Sequence, residues 1–121
     1  MRLLALTSLA ITALAFGAAA QPKTPESCFW TRDLRNHTVS GDHTLYFDVG
    51  GRSVYRVETS GSCLAAATSS DPIVLLDRGG SGQICNKLDL DISVHGAHCI
   101  VSDLTKLTAA EVAALPPRTK P

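Results

Sequence analysis

Residues 43–58, HTLYFDVGGRSVYRVE, hold the pattern that decides the fold. Leu45, Phe47 and Val49 alternate with Thr44, Tyr46 and Asp48, and beyond Gly50-Gly51 the residues Tyr55 and Val57 alternate with Arg56 and Glu58. A period of two puts apolar side chains on one face of an extended chain, so each run reads as a half-buried strand. Two consecutive glycines tolerate the positive φ of a tight turn. The stretch is therefore expected to be an antiparallel hairpin.

Downstream, Ile73-Val74-Leu75-Leu76 is a continuous apolar run after Asp71-Pro72, expected as a strand covered on both faces. Gly79-Gly80-Ser81-Gly82 then breaks the chain as a flexible turn. Leu88, Leu90, Ile92 and Val94 alternate with Asp89, Asp91 and Ser93, which predicts a strand whose acids face solvent. A turn at His95-Gly96 leads to a further strand from about Cys99 through Ile100 and Val101. Upstream, Phe29 to Leu34 is expected to be the first strand, and Cys63 to Ala67 a turn of helix. One helix is clearly signalled, by the capping-box spacing of Thr108 and Glu111 ahead of Val112 to Leu115, with Pro116-Pro117 to stop it. The expected fold is mainly β: a small antiparallel barrel or sandwich of five to six strands with one short C-terminal helix and two disulfides. Closure into a barrel is favoured, because it removes exposed sheet edges.

Residues 1–20 read as a signal peptide, with Arg2 ahead of an apolar run from Leu3 to Phe16 and small residues Gly17-Ala18-Ala19-Ala20 at the cut site. The run is shorter than the roughly 20 apolar residues of a membrane span, so no transmembrane segment is expected. Residues 21–27 form a flexible leader, 28–115 the disulfide-bonded β-domain and 116–121 a disordered tail. The chain carries 11 Lys plus Arg against 11 Asp plus Glu, and losing Arg2 with the leader leaves a formal charge of about −1. Its basic residues are scattered singly (Arg32, Arg35, Arg52, Arg56, Arg78, Lys87 and Lys106), which argues against nucleic acid as a partner. Export makes the localisation periplasmic or secreted, where thiols oxidise.

Cys28, Cys63, Cys85 and Cys99 are an even set with no C-x(2 to 4)-C pair, so structural disulfides are expected over a zinc or redox site. Three pairings are open. Joining Cys28 to Cys99 and Cys63 to Cys85 is the expectation, because it ties the opening strand to the closing one and the loop after the hairpin to the loop after the Ile73 strand. His95 and His98, next to Cys99, are the candidate metal ligands, although a hairpin turn at Gly96-Ala97 would leave both exposed and Cys99 in a disulfide. Asp89 and Asp91 are two apart on a strand and are the candidate acid/base or calcium pair, with a solvated face as the plainer reading. Gly79 to Gln83 satisfies neither the nucleophile-elbow nor the phosphate-loop pattern, since Gln83 stands where glycine is needed and no Lys-Ser/Thr follows. Asn36-His37-Thr38 is a glycosylation sequon, meaningful where the host glycosylates. No catalytic residue and no cofactor is indicated.

Cys28-Phe29, Arg32-Asp33-Leu34, the hairpin with Thr44 and Tyr55, Gly61-Ser62-Cys63-Leu64, Ile84-Cys85 with Asp89, and Cys99 before Leu107-Thr108 together resemble a family of small exported bacterial proteins known as a domain of unknown function. The resemblance runs from Cys28 to about Thr108 and departs at Leu64, where the family often has proline. It implies a signal peptide and a periplasmic or extracellular setting. The expected function is a non-enzymatic binding or envelope-associated protein whose partner is a protein or envelope component. Tyr46, Tyr55, Arg56 and Trp30 are candidates for its adhesive surface if they lie outward on the hairpin, with core packing the plainer use of at least Trp30 and Tyr55. Two competing readings remain: a small metal-binding protein or hydrolase using His95 and His98 or Asp89 and Asp91, and an inhibitor presenting the loop Arg78 to Gly82.

Overall fold

The computed structural model describes residues 28–121; the expected signal peptide and leader lie outside the described residues. In chain order the strands are β1 (Phe29–Trp30), β2 (Leu34–Ser40), β3 (Thr44–Val49), β4 (Ser53–Thr59), β5 (Ile73–Asp77), β6 (Gln83–Ile84), β7 (Leu90–Val94), β8 (Ala97–Cys99) and β9 (Val101–Lys106), followed by helix α1 (Ala109–Ala114). They form three sheets, ordered β2-β3-β4-β9, β5-β7-β8 and β1-β6, and every pairing is antiparallel. Among the described residues the fold is mainly β with one short helix and two disulfides, and it is sandwich-like rather than a closed barrel.

The expected hairpin is β3 and β4, in register Asp48↔Val54 and Val49↔Ser53 around a turn in which Gly50 and Gly51 have φ of 63° and 70°. Leu45, Phe47, Tyr55 and Val57 point inward and meet Leu90, Ile92, Val94 and Cys99 from the three-stranded sheet in one core, together with Phe29, Leu64, Ile84 and Leu104. Most core positions of the second half are aliphatic, as the sequence requires. The barrel does not close, since the four-stranded and three-stranded sheets share no strand pairing; the chain passes between them at Ile100. Cys99 ends β8, which pairs with β7, whereas Val101 begins β9, which pairs with β4. The strand expected to run from Cys99 through Val101 is thus two strands, and Ile100 between them is exposed.

Several other expectations are corrected. Phe29–Trp30 is a two-residue strand, a 3-10 turn takes Thr31–Asp33, and Leu34 opens a seven-residue strand that the sequence conceals, because its register shifts between Leu34 and His37. A bulge of this kind breaks the period of two on which strand recognition depends. The run at Ile73 is an edge strand covered on one face only, with Val74 and Leu76 about half exposed (49% and 51%). Residues 61–66 make successive turns, Ala65 N–H to Ser62 O and Ala67 N–H to Leu64 O, without becoming helical. The expected disordered tail holds a 3-10 turn at Pro117–Thr119, and the Thr38 hydroxyl of β2 donates to the Thr119 carbonyl at 2.6 Å. Helix α1 begins as expected, with the Thr108 side chain accepting from Glu111 N–H and the Glu111 carboxylate accepting from Thr108 N–H.

The disulfides join Cys28 to Cys85 and Cys63 to Cys99, correcting the expected pairing. Local geometry explains both. Phe29 pairs with Ile84, so the residues flanking that pair, Cys28 and Cys85, lie opposite each other at the end of the β1-β6 ladder. Ser60 N–H donates to Ile100 O at 2.9 Å, which brings the loop after β4 to the end of β8 and places Cys63 beside Cys99.

The glycine loop after β5 is organised by one carboxylate. Asp77 accepts from the N–H groups of Gly79 and Gly82 and from the Ser81 hydroxyl, and Gly82 O in turn accepts from Thr31 N–H at 2.9 Å. The Gly82 N–H, followed by the Gly79 N–H and Ser81, holds the Asp77 carboxyl below the usual carboxylate range. Asp71 is lowered by the Thr68 N–H and side chain and then by His95, and Glu111 by the N–H and side chain of Thr108. A carboxyl lowered in the folded state contributes stability that is complete above the ordinary carboxylate range and is lost as pH falls through the lowered values. The melting temperature is therefore expected to be level above about pH 5 and to decline below it, with a shallower decline in Asp77→Asn. A variant as acid-sensitive as the parent in a series of thermal melts would remove Asp77 from this account.

Candidate functional site

Of the four sequence candidates the structure brings together only His98 and Asp91; His95 and Asp89 turn to other partners. His95 sits in the β7–β8 turn with φ of 51°, and Gly96 follows at 80°; two positive φ values are what a two-residue hairpin connection needs. Its Nε2 lies 3.4 Å from Asp71 Oδ1, whereas His98 Nδ1 lies 3.4 Å from Asp91 Oδ1, so the two histidines turn to different carboxylates. Asp91 also faces Arg78 at 3.8 Å. Asp89, expected on a solvated face with Asp91, instead accepts from Cys85 N–H, Asn86 N–H and Asn86 Nδ2 at 2.9–3.0 Å and fastens the loop that carries the disulfide. Among the described residues no group of three or more His, Cys, Asp or Glu is placed to hold a metal ion.

Of the expected adhesive residues, Tyr46 and Arg56 stand directly opposite each other on β3 and β4, whereas Tyr55 and Trp30 do not join them. Tyr55 is buried in the core at 2% exposure, and burial pushes its phenol up. Arg56 faces Glu58 at 3.5 Å. Trp30 is 38% exposed, with the Arg32 guanidinium 4.8 Å from its ring centroid and its ring edge over Gly82. Asn36 of the sequon is exposed on β2, and Thr38 is buried.

What the fold does assemble is a groove at one end of the four-stranded sheet. The β3–β4 turn, the start of β2 and the end of β9 meet there, because Leu34 pairs with Val49 and Tyr55 with Lys106. Gly50 N–H donates to Asp33 O at 2.8 Å, which binds the turn to the chain entering β2, and Gly51 N–H donates to Asp48 Oδ1 at 3.0 Å. Gly51 has space in which Arg35 can lie: a Cβ there would stand 3.3 Å from Arg35 Nη1. Arg35, Arg52 and Lys106 line this groove of about 500 Å³ with Trp30, Asp33, Ser53 and the Cys28 end of β1. A second groove of about 570 Å³ shares Arg52, Ser53 and Lys106 and continues over Val54, Leu107, Ala109 and Val112. Both volumes fall within the range of small-molecule sites.

The three cations are exposed and, among the described residues, form no ion pair. Elsewhere Arg56 and Arg78 have carboxylates, Lys87 donates to Ser102 O and Arg32 lies on Trp30. Scattered through the sequence, these three residues carry no local signature. Only the strand register reveals that they converge.

Among the described residues no helix is long and apolar enough to cross a membrane. Comparison of the chain with protein-family models, curated proteins and solved structures finds no match in any of the three.

Proposed function

We propose that this chain is an exported, non-enzymatic binding domain that takes an anionic ligand in the groove between Arg35, Arg52 and Lys106. The observation that carries the reading is the convergence of three cations, none of them in an ion pair, on a concave surface where Asp33 is the one carboxylate among the lining residues. Like charges held together repel and cost stability, whereas an anion there would be attracted by all three. Two disulfides in a small β-domain suit an oxidising compartment, and the leader-like residues 1–20 and the resemblance to small exported bacterial proteins support a periplasmic or secreted setting. The partner would then be a component of the envelope or its surroundings that displays negative charge.

Amide NMR of the oxidised protein at low salt tests this. Phosphate, acetate and citrate are expected to shift Gly50, Gly51 and Arg52, while glucose and choline do not, and Arg52→Glu is expected to abolish the response. Because the groove is open, the response should weaken strongly as salt is raised. Amides of the turn that ignore every anion would overturn the reading.

A further inference from the structure

We propose that the ligand of this groove is an organic phosphate monoester, with its phosphoryl group among Arg35, Arg52 and Lys106 and its apolar part over Val54 and Val112. The inference rests on the reading of the groove as an anion site and adds the ligand's chemistry. Arg52, Ser53 and Lys106 line both grooves, so they mark the junction of two unlike surfaces. On one side lie Arg35 and Asp33; on the other, Val54, Leu107 and Val112 form an apolar floor beside Asp48, whose carboxylate is engaged by the Gly51 N–H.

The charge at the junction favours phosphate over carboxylate. A carboxylate carries one charge and is satisfied by one guanidinium fork, whereas a phosphate monoester near neutral pH carries close to two charges and three terminal oxygens. Two arginines and a lysine from three separate elements suit the second geometry, because each can address a different oxygen. The turn's backbone is already committed: the N–H groups of Gly50, Gly51 and Arg52 donate to Asp33 O, Asp48 Oδ1 and Val49 O. The anion would therefore be held by side chains alone, which makes binding dependent on those charges and on salt. The apolar floor, in turn, would leave inorganic phosphate only half accommodated.

Titration of the oxidised protein with butyl phosphate, inorganic phosphate and butyrate, read by amide shifts, separates the two contributions. Butyl phosphate is expected to bind about tenfold more tightly than butyrate, from the second charge, and at least about threefold more tightly than inorganic phosphate, from the buried methylenes. Arg52→Gln and Lys106→Gln should each weaken butyl phosphate severalfold, and Arg78→Gln, the same charge loss outside the groove, should not. Val112→Ser, which removes apolar surface without adding charge, should weaken butyl phosphate and leave inorganic phosphate nearly unchanged. Equal affinity for butyrate and butyl phosphate would overturn the phosphate assignment while leaving an anion site; no response to any of the three would overturn both. Sedimentation with phosphatidic acid vesicles, against phosphatidylcholine vesicles, separates the sources: binding displaced by butyl phosphate places the phosphate on a lipid headgroup, and failure to sediment with butyl phosphate binding intact places it on a free ester.

Discussion

Replacing Cys28 and Cys85 together by alanine is expected to lower the stability of the domain by about 4 kcal/mol, and replacing Cys63 and Cys99 by nearly as much. The partners are 57 and 36 residues apart, and in the chain-entropy model each bond removes from the unfolded chain the freedom of a loop of that length. A domain of this size is held by roughly 5–10 kcal/mol, so either loss takes a large share. The two bonds should nevertheless fail differently. Cys28–Cys85 closes a sheet of only two residue pairs, Phe29↔Ile84 and Trp30↔Gln83, and an isolated two-stranded ladder is marginal in water. Without it, β1 should separate first and take Trp30 off Gly82 and out of the groove wall. Cys63–Cys99 instead anchors a loop whose Leu64 is fully buried and whose Ser60 is bonded to Ile100. Urea unfolding read by the fluorescence of Trp30, alongside the anion titration, distinguishes them: the first double variant should lose groove binding before global unfolding, and the second should lose both together. A cost under about 1 kcal/mol for either pair would show that the ladders hold the cysteines without the bond.

The parts of this fold that the sequence announces are those made by alternation over five or more residues. The β3–β4 hairpin and β7 show a period of two, and α1 shows its capping box, because each is fixed by side chains within one element. The rest depends on partners distant in the chain. Strand β2 is obscured by a bulge after Leu34, and the switch of sheets at Ile100 is invisible because Ile100 is as apolar as its buried neighbours. Asp77 and Asp89 read as ordinary surface acids, yet both are acceptors for clustered N–H groups, a role set by loop geometry. The cysteine pairing follows from the short β1-β6 ladder, too brief to leave a pattern. The candidate site is the extreme case, since Arg35, Arg52 and Lys106 look like solubilising charges until the register sets three elements side by side.

Phe47→Ala is expected to cost about 4 kcal/mol, more than any other single truncation in the hairpin. Phe47 is 2% exposed and is the largest of the fully buried side chains. It stands directly opposite Tyr55 on one side and His37 on the other, with its ring centroid 6.3 Å from the His37 ring. Tyr55 in turn packs on Phe29 at 4.6 Å between centroids, so one aromatic row links β2, β3, β4 and β1. Few aromatics are available to refill a cavity there, and the aliphatic residues of the opposing sheet are held by strand pairing, so collapse around an alanine would be incomplete. Phe47→Leu keeps most of the volume and should cost no more than about half as much. Tyr46→Ala, one residue away on the opposite face, should cost about 1 kcal/mol or less, which controls for β-propensity within the same strand. Denaturant midpoints for the three variants decide the matter. If Phe47→Ala and Tyr46→Ala destabilised equally, the aromatic row would not be the centre of the core. A Phe47→Ala loss far larger than that of Phe47→Leu would instead show that the core depends on the volume this ring fills.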